Sequence, residues 1–238
     1  MHYLDNSATT AVYREAAEKA VYYMTEKFGN PSSLHTMGFE AKCAMEDARE
    51  VIAKSLSADA SEIFFTSGGT ESNNLAIFGA ARARKRMGNK IVTTAIEHPA
   101  VLEVMKALER DGMEVTYLRP NAQGYIAEEQ LEAAIDDKTV LISVMLVNNE
   151  TGVLLPVQAV RKIVNRKKAP ALIHTDAVQG YMKMPISVKK LGVDLLTCSG
   201  HKVHAPKGIG VLYVAKQARI QPLVFGGEIG RASCRERV

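Results

Sequence analysis

Two residues of complementary chemistry stand at the ends of successive apolar runs. They are Asp176, in Asp176-Ala177-Val178-Gln179, and Lys202, closing Ser199-Gly200-His201-Lys202. A carboxylate and an amine so placed are what a pyridinium aldehyde cofactor requires. The amine forms a Schiff base with the aldehyde, and the carboxylate keeps the ring nitrogen protonated so that the ring accepts electrons from a substrate carbanion. That is the chemistry of pyridoxal phosphate. Taken alone, the same two residues also fit a surface lysine and a helix cap.

A second segment, Thr66-Ser67-Gly68-Gly69-Thr70-Glu71-Ser72-Asn73-Asn74, places glycines and hydroxyls between a predicted strand and a predicted helix. Such a junction turns free backbone N–H groups and the positive end of the helix dipole toward a phosphate. Gly68 and Gly69 allow close approach of the backbone, and Thr70 or Ser67 can donate a hydroxyl. A capping box at Ser67 or a neighbouring threonine fits the same residues. No Gly-Lys-Ser/Thr follows and the pattern is not Gly-x-Gly-x-x-Gly, so a phosphate without a nucleotide is the better match.

In Ile96-Glu97-His98-Pro99 a histidine stands at a strand end where the next helix starts, and its ring can stack on a flat cofactor and serve as a base. It also reads as an ordinary polar loop residue. Val147-Asn148-Asn149-Glu150-Thr151-Gly152 ends the most apolar run with amides that can orient a ligand, which is turn chemistry as well. All five polar clusters follow predicted strands, and open α/β sheets bind ligands outside the carboxyl ends of their strands. A metal site is not expected: His201 and His204 are three apart with Cys198 near, but acidic and thiolate partners at ligand spacing are missing.

The elements that must position these groups alternate. From residue 61 to 227, short β-rich apolar runs alternate with longer amphipathic stretches, the pattern of βαβ units and a largely parallel sheet flanked by helices. Strands are expected at 63–65, 91–94, 115–118, 140–147, 171–175 and 193–197, with 210–214 returning antiparallel. Helices are expected at 70–86, 98–110, 128–135 and 157–167. Residues 1–60 instead read as an N-terminal helical arm, with helices at 15–27 and 39–56 separated by Phe28-Gly29-Asn30-Pro31-Ser32-Ser33.

The 238 residues, 47% hydrophobic and 24% charged, describe a globular chain with a sizeable core. No apolar run is long enough to cross a bilayer, and the N-terminus lacks the basic start and apolar stretch of a signal peptide, so no membrane association and a cytoplasmic location are expected. Three widely spaced cysteines, Cys43, Cys198 and Cys234, fit reduced thiols rather than a disulfide framework. Half of the net charge of +4 comes from Arg231, Arg235 and Arg237 against Glu236, and nothing in it suggests a nucleic-acid surface.

With these residues in view the chain resembles the class V aminotransferases, and among them the cysteine desulfurases. The resemblance rests on Tyr3-Leu4-Asp5-Asn6-Ser7-Ala8-Thr9-Thr10, the Phe28–Ser33 and Phe65–Asn73 segments, Glu97-His98, the Val147–Gly152 segment, Asp176–Gln179 and Ser199–Lys202 continuing through Pro206-Lys207-Gly208-Ile209-Gly210. These seven motifs match in order over residues 2 to 227. The resemblance implies the large domain of a fold-type I pyridoxal phosphate enzyme that converts L-cysteine to L-alanine and passes the sulfur to an enzyme thiol. It further implies a homodimer and a sulfur-acceptor or scaffold protein for iron-sulfur cluster assembly.

Carried residue by residue, the resemblance makes Lys202 the Schiff-base lysine and Asp176 the partner of the ring nitrogen. Gln179 would donate to the phenolic oxygen, and His98 would stack on the ring and move protons. Gly69, Thr70, Ser199 and His201 would cup the phosphate, with Asn149 on the substrate side. The pattern breaks after Phe225-Gly226-Gly227. Residues 228–238 form an aberrant tail that points to a truncated or frame-shifted gene.

The family's small C-terminal domain, with its catalytic cysteine and substrate-binding arginine, is therefore expected to be missing, and the fragment to be impaired or inactive and to bind the cofactor weakly or not at all. Two other expectations stay open. One is a selenocysteine lyase or other class V enzyme, and the other a non-catalytic remnant that serves only as a dimerisation partner.

Overall fold

A computed structural model describes residues 2–225; the tail at 228–238, with Cys234, lies outside the described residues. The strands are β1 (Ile63–Thr66), β2 (Lys90–Thr94), β3 (Glu114–Leu118), β4 (Thr139–Ser143), β5 (Leu172–Asp176), β6 (Leu195–Ser199) and β7 (Gly210–Val214). They form one sheet in the order β1-β7-β6-β5-β4-β2-β3. Only β7 runs antiparallel to its neighbours, as expected for the returning segment. The remaining pairs are parallel.

Burial explains the sequence of these strands. All five positions of β4, β5, β6 and β7 are buried, and a strand covered on both faces must be apolar almost throughout. Val140-Leu141-Ile142, Leu172-Ile173, Leu195-Leu196 and Val211-Leu212 meet that demand. Edge strand β3 instead begins on exposed Glu114 and buries only Leu118 fully.

The helices are α1 (Arg14–Thr25), α2 (Thr36–Leu56), α3 (Gly69–Arg84), α4 (Pro99–Arg110), α5 (Glu128–Ala134), α6 (Val157–Lys167) and α7 (Val188–Leu191). Helix α6 has both its expected ends, because Arg166 and Lys167 complement the dipole and Lys168 closes the helix in a left-handed conformation. Helix α7 was not expected. One turn is too short to show a period, and its signals are local: Ser187 accepts from Lys190 N–H, and Gly192 follows at φ 68°.

The expected strand at 140–147 ends at Ser143. Beyond it the chain still bonds to β5, through Val144 N–H to the His174 carbonyl (3.1 Å) and Leu146 N–H to that of Asp176 (2.9 Å). On the other side, however, Met145 N–H goes to Glu97 Oε1 at 2.8 Å rather than to a strand. A side chain thus terminates the ladder and turns the following residues toward the strand ends.

Helix α2 docks on the sheet through Ala41, Arg49, Ala53 and Leu56. The Arg49 guanidinium donates to the Ile63 carbonyl and lies 4.9 Å from the Phe65 ring centroid. No residue of α1 is buried, and α1, α2 and the loop between them expose Val21, Met24, Phe28, Leu34, Phe39 and Val51.

Candidate active site

A cleft of about 440 Å³ lies at the carboxyl ends of the strands and is lined by Gly69, Thr70, His98, Asn149, Asp176, Gln179, Ser199, His201 and Lys202 together. These are all nine residues singled out in the sequence. Parallel strands put their ends on one side of the sheet, so clusters separated by up to 133 positions meet there.

At the end of β1 the turn into α3 is built from within. Thr66 Oγ1 lies 2.7 Å from Ser72 Oγ, and Ser67 N–H donates to Glu71 Oε2 at 2.6 Å. The residue before the helix is Gly68, which offers no side-chain cap. No side-chain cap is made at the start of α3; Thr66 and Glu71 brace the turn before it, and Gly69 and Thr70 remain on the cleft wall. A Cβ on Gly69 would lie 3.1 Å from Val178 Cγ2 and 3.6 Å from Ser199 Cβ, so the glycine keeps this point of the wall open, and a methyl there needs the Val178 side chain to give by a few tenths of an ångström.

Asp176 ends β5 with only 5% of its surface exposed. Its Oδ1 accepts from Val178 N–H at 2.9 Å and its Oδ2 from Asn73 Nδ2 at 2.7 Å. Burial raises its pKa above the usual carboxylate range; the two hydrogen bonds and the charges of His98 and Lys202 pull the other way.

Lys202 follows β6 at the close of a single 3₁₀ turn. Its ammonium donates to the carbonyl of Ser7 and, at 2.7 Å, to that of Ala8. Partial burial lowers its pKa, and the nearby charge of Lys183 adds to the effect. Gln179 is held at both ends of its amide: Oε1 accepts from Lys183 Nζ at 3.0 Å, and Nε2 donates to Ser7 O at 2.8 Å.

His98 caps α4, its Nδ1 accepting from Ala100 N–H at 3.1 Å. In the neutral ring the proton then sits on Nε2. Of the two amides after β4, Asn148 is structural, its Oδ1 accepting from Glu150 and Thr151 N–H at 3.0 and 2.9 Å. Asn149 lines the cleft, with its Nδ2 on Glu150 Oε1 at 2.6 Å.

Sequence reasoning missed four contributors. Asn73, one helical turn after Gly69, lies within the Thr66–Asn74 segment, where the i, i+4 spacing is the available signal. Ser7 and Lys183 had no signal of their own, since their parts depend on contacts with Lys202 and Gln179. Glu97 is buried, and desolvation lifts its pKa to about 8; its Oε1 also accepts from Thr94 Oγ1 at 2.8 Å.

An open, mostly parallel sheet with an amine and a buried carboxylate at adjoining strand ends and a glycine turn in the same cleft is the architecture of pyridoxal phosphate enzymes. The family model for class-V aminotransferases matches residues 2–238, and the chain belongs to that family, whose members depend on this cofactor.

Within the family the chain is similar to curated proteins named as cysteine desulfurases. The IscS cysteine desulfurase of Dictyoglomus turgidum is 48% identical over 225 residues, 94% of this chain and 57% of that protein. The cysteine desulfurase of Trichormus azollae is 48% identical over 238 residues, 99% of this chain and 59% of its own. A solved NifS-like protein superposes with TM-score 0.94 at 44% identity, over 98% of this chain and 64% of that one. SspA, solved in complex with cysteine, gives 0.91 at 41%, over 97% and 67%. The chain thus spans less than two thirds of the length of these curated relatives.

Proposed function

We propose that this chain is the cofactor-bearing part of an L-cysteine desulfurase, which converts L-cysteine to L-alanine and passes the sulfur to a thiol and on to an acceptor or scaffold protein. The observation that carries the reading is the meeting of Lys202 and Asp176 in one cleft with the bare turn at Gly69. When bound, pyridoxal phosphate supplies an electron sink for the substrate's α-carbon.

The chain's own groups fit that cofactor. Lys202 offers an amine whose pKa is already lowered, which favours the neutral, nucleophilic form. Asp176 is a buried carboxylate at the base of the cleft, suited to a protonated ring nitrogen. Gln179 has its carbonyl occupied by Lys183 and one amide hydrogen on Ser7 O, which leaves the second amide hydrogen for a phenolic oxygen. Gly69, Thr70, Ser199 and His201 form the wall that would receive the phosphate, His98 offers its ring and a proton-bearing Nε2, and Asn149 stands toward the substrate.

Neither Cys43 nor Cys198 lines the cleft. Cys198 is buried, and desolvation together with the charge of Asp176 pushes its thiol pKa well up, the opposite of what a sulfur nucleophile needs. The exposed apolar side chains of α1 and α2 support a homodimer. The free thiols of Cys43 and Cys198 support a reducing compartment such as the cytoplasm.

Borohydride reduction of the chain in saturating pyridoxal phosphate, followed by peptide mass mapping, tests the cofactor assignment. An adduct on Lys202 is expected; its absence sinks the reading. Alanine release from L-cysteine, assayed beside selenocysteine and cysteine sulfinate, tests the substrate.

A further inference from the structure

Asn73 is 1% exposed and sits on α3 one turn after Gly69. Its Nδ2 donates to Asp176 Oδ2 at 2.7 Å across 103 residues of chain, while its Oδ1 is buried with no hydrogen-bond partner. A flipped amide would set Oδ1 against the carboxylate, so the donor assignment follows from charge. A buried carbonyl left without a partner is costly, and a leucine of similar volume would avoid the cost. What the amide provides in exchange is its single bond to Asp176.

That bond completes the hold on the carboxylate. Val178 N–H takes Oδ1 from the same strand end, and Asn73 takes Oδ2 from the helix that also carries Gly69. The helix bearing the glycine turn is thereby tied to the strand bearing the carboxylate. We propose that Asn73 is a positioning residue that fixes the Asp176 carboxylate and, through it, the ring nitrogen of bound pyridoxal phosphate. The second half rests on the cofactor reading above; the first stands on the geometry alone.

The other groups facing Asp176 are His98 at the start of α4 and Lys202 after β6, which favour its charge, and Glu97 after β2 and Cys198 on β6, which are themselves buried. None of them donates a hydrogen bond to Oδ2 in place of Asn73 among the contacts the structure shows.

The test begins without cofactor. In the full chain carrying ¹³C-carboxyl aspartate, the Asp176 titration midpoint is compared between the parent and Asn73→Leu, with thermal melting as a control for folding. Loss of a hydrogen bond to the charged form should raise the midpoint by about one pH unit and weaken pyridoxal phosphate binding by roughly tenfold. Asn73→Asp fills the same space and donates only while it holds a proton, so its cofactor affinity should approach the parent value at low pH and fall as the pH rises.

An unmoved Asp176 midpoint in a folded Asn73→Leu chain overturns the proposal, as does a loss of melting temperature without a titration shift, which would mark a packing role. Should Asn73→Leu not fold, a pH-independent affinity in Asn73→Asp overturns it. If the midpoint moves but neither chain takes up pyridoxal phosphate, the hold of Asn73 on Asp176 stands and the cofactor reading falls instead.

Discussion

The ammonium of Lys202 is hydrogen-bonded to the carbonyl of Ser7, 195 residues earlier in the chain. That carbonyl also accepts from Gln179 Nε2, so the N-terminal turn forms the wall of the cleft. Thr10 secures the seam: its N–H and its hydroxyl both donate to the His201 carbonyl at 2.9 Å, and its oxygen accepts from His204 N–H at 2.8 Å. Two uncharged carbonyls, rather than a carboxylate, are the acceptors of the Lys202 ammonium. Burial and the charge of Lys183 lower its pKa, with the carboxylates of Asp5 and Asp176 acting in the opposite sense.

Replacing Lys183 with methionine should therefore shift the pH profile of Lys202. Burial is the larger cause of its lowered pKa and the Lys183 charge the next. Removing a like charge favours the ammonium, so the midpoint for borohydride-trapped cofactor on Lys202 should move to higher pH, with slower trapping at neutral pH. A midpoint that stays or falls would contradict this.

Asp176→Asn keeps the shape but removes the charge offered to a ring nitrogen; its single carbonyl can accept from Val178 N–H, and its NH₂ then faces Asn73, whose amide must turn to present Oδ1. If the loaded chain turns L-cysteine over, alanine release should fall roughly a hundredfold or more. The urea midpoint should hold or rise, because a buried charge has been removed. Steady-state kinetics and urea denaturation on the same preparation separate the two effects.

A Cβ on Gly210 would lie 2.5 Å from the Gly68 carbonyl carbon and 2.6 Å from its Cα. Backbone cannot yield as a flexible side chain does, so Gly210→Ala should cost about 1–3 kcal/mol in urea unfolding. Because the displaced backbone is the turn before α3, affinity for pyridoxal phosphate should drop with it, as measured by fluorescence titration.

Glu97 gives a pH signature of known sign. Its pKa is lifted from 4.5 to about 8 by burial, so between those values the folded chain holds a proton that the unfolded chain has released. Stability should accordingly fall as pH rises through that window, with a slope approaching about 1.4 kcal/mol per pH unit. Glu97→Gln should lack this loss, and the difference between the two chains' urea midpoints should widen from mildly acidic to mildly alkaline pH. His174, held down to about 3 by burial, acts in the opposite sense below 6.5 and is common to both chains.

Leu34 is fully exposed and Phe39 largely so on the α1–α2 face. If that face pairs two copies, Leu34→Asp with Phe39→Asp should lower the mass seen by sedimentation equilibrium without changing the melting temperature of the isolated chain. A single-copy mass in the unaltered chain would count against the dimer.

The sequence by itself determined what short-range chemistry encodes. Alternating apolar runs and amphipathic stretches set the seven strands and most of the helices, down to both ends of α6 and β7, because capping, dipole and burial preferences act within a few residues. It also marked nine residues at or after strand ends that line the cleft, since parallel strands carry their ends to one side. Only the tertiary structure decided which ends adjoin and who holds them. The bonds from Asn73 to Asp176, from Lys202 to Ser7 and from Met145 to Glu97 join residues far apart in the chain. Such pairings depend on the order of strands in the sheet, which no local pattern specifies, and the same burial that shifts Glu97, His174 and Asp176 exists only once that order has been adopted.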